Sequence, residues 1–213
     1  MNKTVRSVAK AYDRAAPFYD LMNHVYFFGR DKRFRSMLIQ HLRLTPRSVV
    51  LDLCCGTGLD FPLLQQQVGE EGMIVGVDLS TPMLNRAKKR GNREVHLLRA
   101  DIAHLPFRDR AFHAVIISFC LKVTPTFNTS ITEAARVLRT VGKIGVLANH
   151  KPNSSCKTLL AKLIGAMAKI DFGIGLKAPL SKTFTIVENQ YLYADFVQLI
   201  IGKIKPILGT RIP

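Results

Sequence analysis

Two hydrophobic rhythms alternate along the chain. Short, nearly unbroken apolar runs read as strands buried on both faces. Between them, apolar residues recur every three or four positions, as on the inward side of a helix. Strands are expected over residues 49–53, 73–79, 94–98, 112–119 and 143–148, with a closing pair over 184–193 and 196–204. Helices are expected over 3–15, about 29–42, 61–68, from Ser80 onward, from Ser130 onward and over 155–170. Pro17 should break the first of these. Ser80-Thr81-Pro82 reads as a helix start, a hydroxyl cap followed by proline where its missing N–H costs nothing. Ser130-Ile131-Thr132-Glu133 reads as a capping box, and Thr140-Val141-Gly142 as the end of the helix it opens. Alternating strands and helices predict an α/β fold with a parallel sheet covered on both sides.

The strand exits carry the candidate chemistry. Val49 to Leu53 holds one acid, Asp52, and runs into Cys54-Cys55-Gly56-Thr57-Gly58. A strand, a glycine turn and a helix in that order bring backbone N–H groups and a helix N-terminus against a ligand, as suits a nucleoside-bearing cofactor. The second strand ends in Asp78, at the spacing from the glycines that places a carboxylate on ribose hydroxyls. The third ends in Arg99-Ala100-Asp101-Ile102, and Ser118, Phe119 and Cys120 end the fourth. Several acids at the exits of neighbouring parallel strands mark a ligand edge.

The series Asp52, Gly56-Thr57-Gly58, Asp78 and Ala100-Asp101, followed by Leu105-Pro106-Phe107, resembles a class I S-adenosylmethionine-dependent methyltransferase. The likeness continues through 109–115 and 133–139, and spans roughly residues 9–150. Tyr12-Asp13 and the run from Ala16 to Asn23 are similar to the N-terminus of the ubiquinone/menaquinone-biosynthesis C-methyltransferases. Ala148-Asn149-His150, at the end of the fifth strand, is similar to bacterial phospholipid N-methyltransferases. The resemblance implies a Rossmann-like, seven-stranded, mostly parallel sheet with helices on both faces, an antiparallel last strand and a helical N-terminal lid. Residues 1–48 would be that lid and 49–213 the cofactor-binding core. Asp52, Cys54, Gly56, Thr57 and Gly58 would hold the methionine part of the cofactor, and Asp78 with Leu79 the ribose. Asp101 and Ile102 would take the adenine, with Met83 able to touch it, and Ser118 would lie where methionine and acceptor meet. Tyr19 would stand against the cofactor, and His150 would accept a proton or position the acceptor. No metal is required.

Charge then narrows the partners. The formal net charge is +16, of which residues 1–48 contribute +7, 49–150 contribute +3 and 151–213 contribute +6. Basic flanks around a cofactor core suggest an acidic surface, either anionic phospholipid or nucleic acid. Phe18, Tyr19, Leu21, Met22, Val25, Tyr26, Phe27 and Phe28 form an aromatic and apolar cluster suited to lining a greasy acceptor pocket. The cations Arg30, Lys32, Arg33 and Arg35 read as a solvated or phosphate-contacting face, and Arg86, Lys88, Lys89 and Arg90 as exposed. A lipid or quinol acceptor at a membrane surface, such as a phosphatidylethanolamine-type amine or a prenylated quinol, accounts for both cluster and charge. RNA methylation is the alternative, though no Asn-Pro-Pro-Tyr-like motif follows the fourth strand. No apolar run is long enough to span a membrane, and no signal peptide is evident, so a cytoplasmic enzyme is expected, peripheral to the inner membrane surface. Cys54, Cys55, Cys120 and Cys156 lack metal-ligand spacing and read as buried free thiols. The oligomeric state is left open.

Overall fold

The computed structural model describes residues 3–150, 175–193 and 195–205. Helix α1 (Lys3–Ala15) and helix α2 (Tyr19–Tyr26) flank a 3-10 turn, Ala16–Phe18, that carries Pro17, and α3 (Asp31–Leu42) follows. The remaining order is β1 (Val49–Leu53), α4 (Phe61–Val68), β2 (Met73–Asp78), α5 (Thr81–Lys88), β3 (Val95–Arg99) and β4 (Phe112–Ser118). Then come α6 (Phe127–Val137), β5 (Leu138–Asn149), α7 (Lys177–Ser181), β6 (Phe184–Leu192) and β7 (Val197–Ile204). The sheet has seven strands in the order β3-β2-β1-β4-β5-β7-β6. Strand β7 runs antiparallel to both of its neighbours, and the pairings among β1 to β5 are parallel. The strand order switches between β1 and β4, β2 and β3 lying to one side and β5 to the other, the place where open α/β sheets leave a crevice.

Alternation within each strand sends side chains to two separate cores. Leu51, Leu53, Val75, Val77, Val115 and Ile117 pack with Ile131, Ala134 and Val137 of α6 on one face. Val50, Ile74, Ala114 and Ile116 pack with α3, α4 and α5 on the other. Both faces being covered, the central strands carry few polar residues, which is why they read as continuous apolar runs.

Helix α6 and strand β5 depart from expectation. The helix begins at Phe127, so Ser130 sits inside its first turn, its hydroxyl donating to the Thr126 carbonyl (2.9 Å) rather than capping. Glu133 accepts the Leu105 N–H (2.8 Å) and pairs with Arg136. The helix also stops early, because Leu138 already pairs with Phe112 in the sheet and the register slips before Lys143 meets Ala114. The stretch expected to end a helix is instead a bulged start to β5. Two expectations, the helix over 155–170 and the environment of Cys156, lie outside the described residues.

Candidate functional site

Strand β1 delivers its exit residues into a tight turn built on left-handed backbone. Cys54, Gly56 and Gly58 have φ of 55°, 54° and 79°. A Cβ on Gly58 would lie 2.6 Å from the Phe61 ring, so α4 can approach the turn only over glycine. Above Gly56 the nearest atom to an added Cβ is Tyr19 Cε1 at 3.8 Å, which leaves room over that peptide. The Gly56 N–H donates to Asp78 Oδ2 and the Ser80 N–H to Asp78 Oδ1, both at 2.9 Å. One carboxylate thereby ties the exits of β1 and β2 together and keeps a free lone pair on each oxygen.

A cavity opens at this edge. Cys54 and Gly56 line it from the exit of β1, Asp78, Leu79 and Ser80 from β2, and Ala100, Asp101 and Ile102 from β3. Ser118, Phe119 and Cys120 line it from the exit of β4, and residues 123–126 close one side. Val5, Val8, Ala9 and Tyr12, the apolar face of α1, cover it together with Tyr19. The helix expected at the N-terminus therefore spends its apolar face on the cavity.

Of the residues singled out from sequence, Tyr19, Cys54, Gly56, Asp78, Leu79, Asp101, Ile102 and Ser118 meet at this cavity. Asp52, Thr57, Gly58, Met83 and His150 do not line it. Met83 is 1% exposed, its thioether taken up by packing beneath α5. Asp52 is likewise buried, in β1 one residue before its end, and neither carboxylate oxygen has a hydrogen-bond partner. His150 lies at the end of β5, with Nδ1 3.0 Å from the Asp195 carbonyl and its ring 4.6 Å from that of Tyr191. Thr57 turns away, its hydroxyl donating to Asp20 Oδ1 at 2.5 Å.

That last contact belongs to a clasp the sequence did not disclose. Asp20 on α2 accepts from Thr57, from Arg86 (3.0 Å) and from Arg90 (2.7 Å), and Arg90 also donates to the Thr57 carbonyl (2.6 Å). Asp13 on α1 accepts from the Ser80 hydroxyl (2.6 Å), which caps α5 at the Met83 N–H. Arg86 and Arg90, expected in solvent, are half-buried because they have this carboxylate to meet. Arg35 is a second correction. It is 5% exposed and bonded to buried Asp60 at 2.8 Å, so only Arg30, Lys32 and Arg33 of that run remain on the surface.

The cysteines correct a third expectation. Cys54 and Cys120 are disulfide-bonded, with Cα atoms 6.2 Å apart. Sixty-six residues separate them in sequence, but β1 and β4 are parallel neighbours and bring their exits together. Cys55 is buried with a free thiol.

Burial governs the ionisation of the site. Desolvation, then the nearby Asp60, pushes the Asp52 carboxyl well above the usual range, and Arg35 opposes this only in part. Desolvation also raises Asp78, against the backbone N–H groups that hold its charge. The phenols of Tyr12 and Tyr19 are raised, chiefly by burial, and stay protonated at neutral pH. At Asp20 burial pushes upward, but Thr57, Arg90 and Arg86 outweigh it and hold the carboxyl below its ordinary value.

Comparison with known proteins places this geometry. The model of the ubiE/COQ5 methyltransferase family matches residues 1–161. A demethylmenaquinone methyltransferase of Lactobacillus johnsonii is 34% identical over 177 residues, 76% of this chain and 72% of the relative. A 2-phytyl-1,4-naphtoquinone methyltransferase of Trichormus variabilis is 32% identical over 160 residues, 72% and 68% of the two chains. Among solved structures, an S-adenosylmethionine-dependent methyltransferase of Aquifex aeolicus superposes with a TM-score of 0.61 at 17% identity, covering 80% of this chain and 89% of that one. The geranyl diphosphate C-methyltransferase of Streptomyces coelicolor A3(2) superposes at 0.65 with 13% identity, covering 81% and 79%. At these identities the structures show the shared fold.

Proposed function

The chain belongs to the ubiE/COQ5 methyltransferase family and is an S-adenosylmethionine-dependent methyltransferase, and on that premise we propose that it methylates a quinol bearing an apolar tail at a membrane surface. The observation that carries the reading is the cavity itself. Acids from β2 and β3 and the glycine turn of β1 share it with the apolar face of α1 and the Phe119 ring. The quinone acceptors named for the two relatives fit such a lining.

The donor set suits the cofactor. Asp52 offers two buried, unpartnered carboxylate oxygens, Ser118 Oγ is buried without a partner, and the space over Gly56 is open. We assign the ribose hydroxyls to Asp78 with Leu79 alongside, and the adenine to Asp101 and Ile102. The methionine part falls to the backbone around Cys54 and Gly56, with Ser118 beside it and the Asp52 carboxyl beneath. Once bound, the sulfonium supplies the electrophilic methyl carbon. The protein supplies alignment and the exclusion of water. Tyr12 and Tyr19, protonated and facing the cavity, would act as neutral hydrogen-bond donors to the quinol oxygen once its proton has left and before the ring carbon attacks the methyl, and Tyr19 is the catalytic candidate. His150 stands off the cavity wall, where it would serve the approach of the acceptor.

Residues 1–48 act in this reading as the lid, α1 and α2 moving as a unit held by Asp13 and Asp20. Among the described residues no helix is long and apolar enough to cross a membrane. Contact with lipid would therefore run through surface residues, and the exposed Phe18, Leu21, Met22, Val25 and Phe28 are proposed for it.

The test is methyl transfer from isotopically labelled S-adenosylmethionine, under anaerobic reducing conditions, to a short-tailed naphthoquinol. Phosphatidylethanolamine vesicles and RNA are offered in parallel. Label on a ring carbon of the quinol is the expected result. Label on the lipid amine or on RNA, with none on the quinol, would overturn the acceptor assignment.

A further inference from the structure

We infer that Cys54 and Cys120 are a reversible redox site in the wall of the cofactor cavity, oxidised by a small-molecule disulfide, and that the crosslinked form is the one competent to bind cofactor. The inference rests on the cofactor reading of this cavity. Its grounds are three. The two residues lie immediately past the ends of β1 and β4, with Cα atoms 6.2 Å apart, within the span a disulfide bridges without backbone movement. Both line the cavity, beside Gly56 on one strand exit and Ser118 on the other, so an oxidant or reductant that enters the cavity meets both. The remaining described cysteine, Cys55, does not line the cavity, and burial followed by the neighbouring Asp52 pushes its thiol well up, which leaves it a poor competitor for exchange.

The chemistry balances as two exchanges. One protein thiolate attacks a sulfur of oxidised glutathione and releases one glutathione. The second protein thiol then attacks the protein sulfur of the mixed disulfide and releases the other. One S–S bond is broken and one formed, and the two electrons and two protons leave on the two glutathiones. The consequence for binding follows from geometry. Two thiols need a sulfur separation of about 3.5–4 Å, against about 2 Å when bonded. With Cys120 packed against the Thr124 hydroxyl (3.2 Å), the free space available to a displaced sulfur is the cavity. Reduction thus narrows the site and unties the β1 turn from β4, whereas the bridge holds both walls in place before the ligand arrives.

The experiment uses the full chain, incubated with excess oxidised glutathione or with dithiothreitol, and S-adenosylhomocysteine as the probe in calorimetry. Peptide mapping after alkylation should find Cys54 joined to Cys120 in the first sample and both alkylated in the second. The oxidised form should bind the probe at least about tenfold more tightly. By reciprocity, the probe should slow reduction of the bridge by dithiothreitol. In Cys120→Ser, oxidised glutathione can carry Cys54 no further than the mixed disulfide, so the same treatment should not produce the tighter-binding state. Equal affinity in the two states, tighter binding when reduced, or no bridge between these two residues would overturn the redox inference and leave the cofactor site standing. Failure of both forms to bind would overturn the cofactor site as well.

Discussion

Asp78 and Asp52 sit one strand apart and pose opposite problems. Asp78 has two backbone N–H partners and spare lone pairs in the cavity, so Asp78→Ala removes acceptors from buried donors and from the ribose assigned to it. It should weaken S-adenosylhomocysteine binding by about 1–3 kcal/mol in calorimetry, and unchanged affinity would take Asp78 off the ribose. Asp52 has no partner and a raised pKa. Below the ordinary carboxylate range both folded and unfolded chains hold its proton. As pH climbs, the unfolded chain ionises first, and stability is lost until the folded pKa is passed. Urea titrations at stepped pH should show this slope in the free protein, and Asp52→Asn should flatten it while weakening cofactor binding. An unaltered slope would mean that another group carries it. Both acids were legible in the sequence because a strand exit is a local feature, fixed by a few neighbouring residues. The Cys54–Cys120 bridge and the burial of Arg35 were not, since each depends on a partner brought close only by strand order or helix packing. Arg35→Ala, which leaves buried Asp60 without its partner, should cost about 3–5 kcal/mol in the same assay. Replacing both residues with apolar ones should recover most of that loss.

Among the elements, the strands and the helices α4 and α5 follow the hydrophobic rhythm closely, with α4 and β1 matching to the residue. The boundary between α6 and β5 did not, because pairing of Leu138 with Phe112 overrides a local helical pattern. The amphipathic pattern of α1 was visible in sequence, but not what its apolar face would meet. The cavity and the two carboxylates on either side of Pro17 supply the answer: Asp13 reaches α5 at Ser80, and Asp20 reaches Thr57, Arg86 and Arg90. Asp20→Asn should therefore loosen α1 and α2 selectively. Hydrogen exchange should rise across residues 3–26 while the sheet stays protected, and cofactor affinity should fall, because Thr57 and α5 lose the tie that seats the lid. The wild-type clasp should show the matching pH response. With the folded pKa of Asp20 depressed, its contribution is present above the ordinary carboxylate range and is lost as pH falls through the folded value. Uniform exchange in Asp20→Asn and wild type would make the clasp ornamental.

The molecule as a whole joins a strongly basic surface to an exposed apolar stripe, and the two together favour a bilayer over a nucleic acid. Phe18, Leu21, Met22, Val25 and Phe28 recur at helical spacing, and each is more than half exposed. Arg6, Lys10, Arg14, Arg30, Lys32 and Arg33 are also exposed and belong to the same flank, which carries +7 of the net +16. Phosphate-backbone binding would draw on the charge alone and leave the stripe in water, whereas an anionic membrane would engage both. A tailed quinol would also reach the cavity from the bilayer without its tail crossing water. The double variant Leu21→Glu, Val25→Glu tests this at little cost to the fold, since both side chains are 64% exposed. It should lose flotation with phosphatidylglycerol-containing vesicles, keep its melting temperature and its affinity for S-adenosylhomocysteine, and lose activity on a long-tailed quinol in vesicles but not on a short-tailed one in solution. Reversing Lys32 and Arg33 to Glu should weaken flotation more at low salt than at high salt, as expected of a screened attraction that assists an apolar one. Flotation that survives Leu21→Glu, Val25→Glu would move the lipid contact elsewhere on the basic surface, and equal loss on both quinols would place these side chains in the reaction rather than at the membrane.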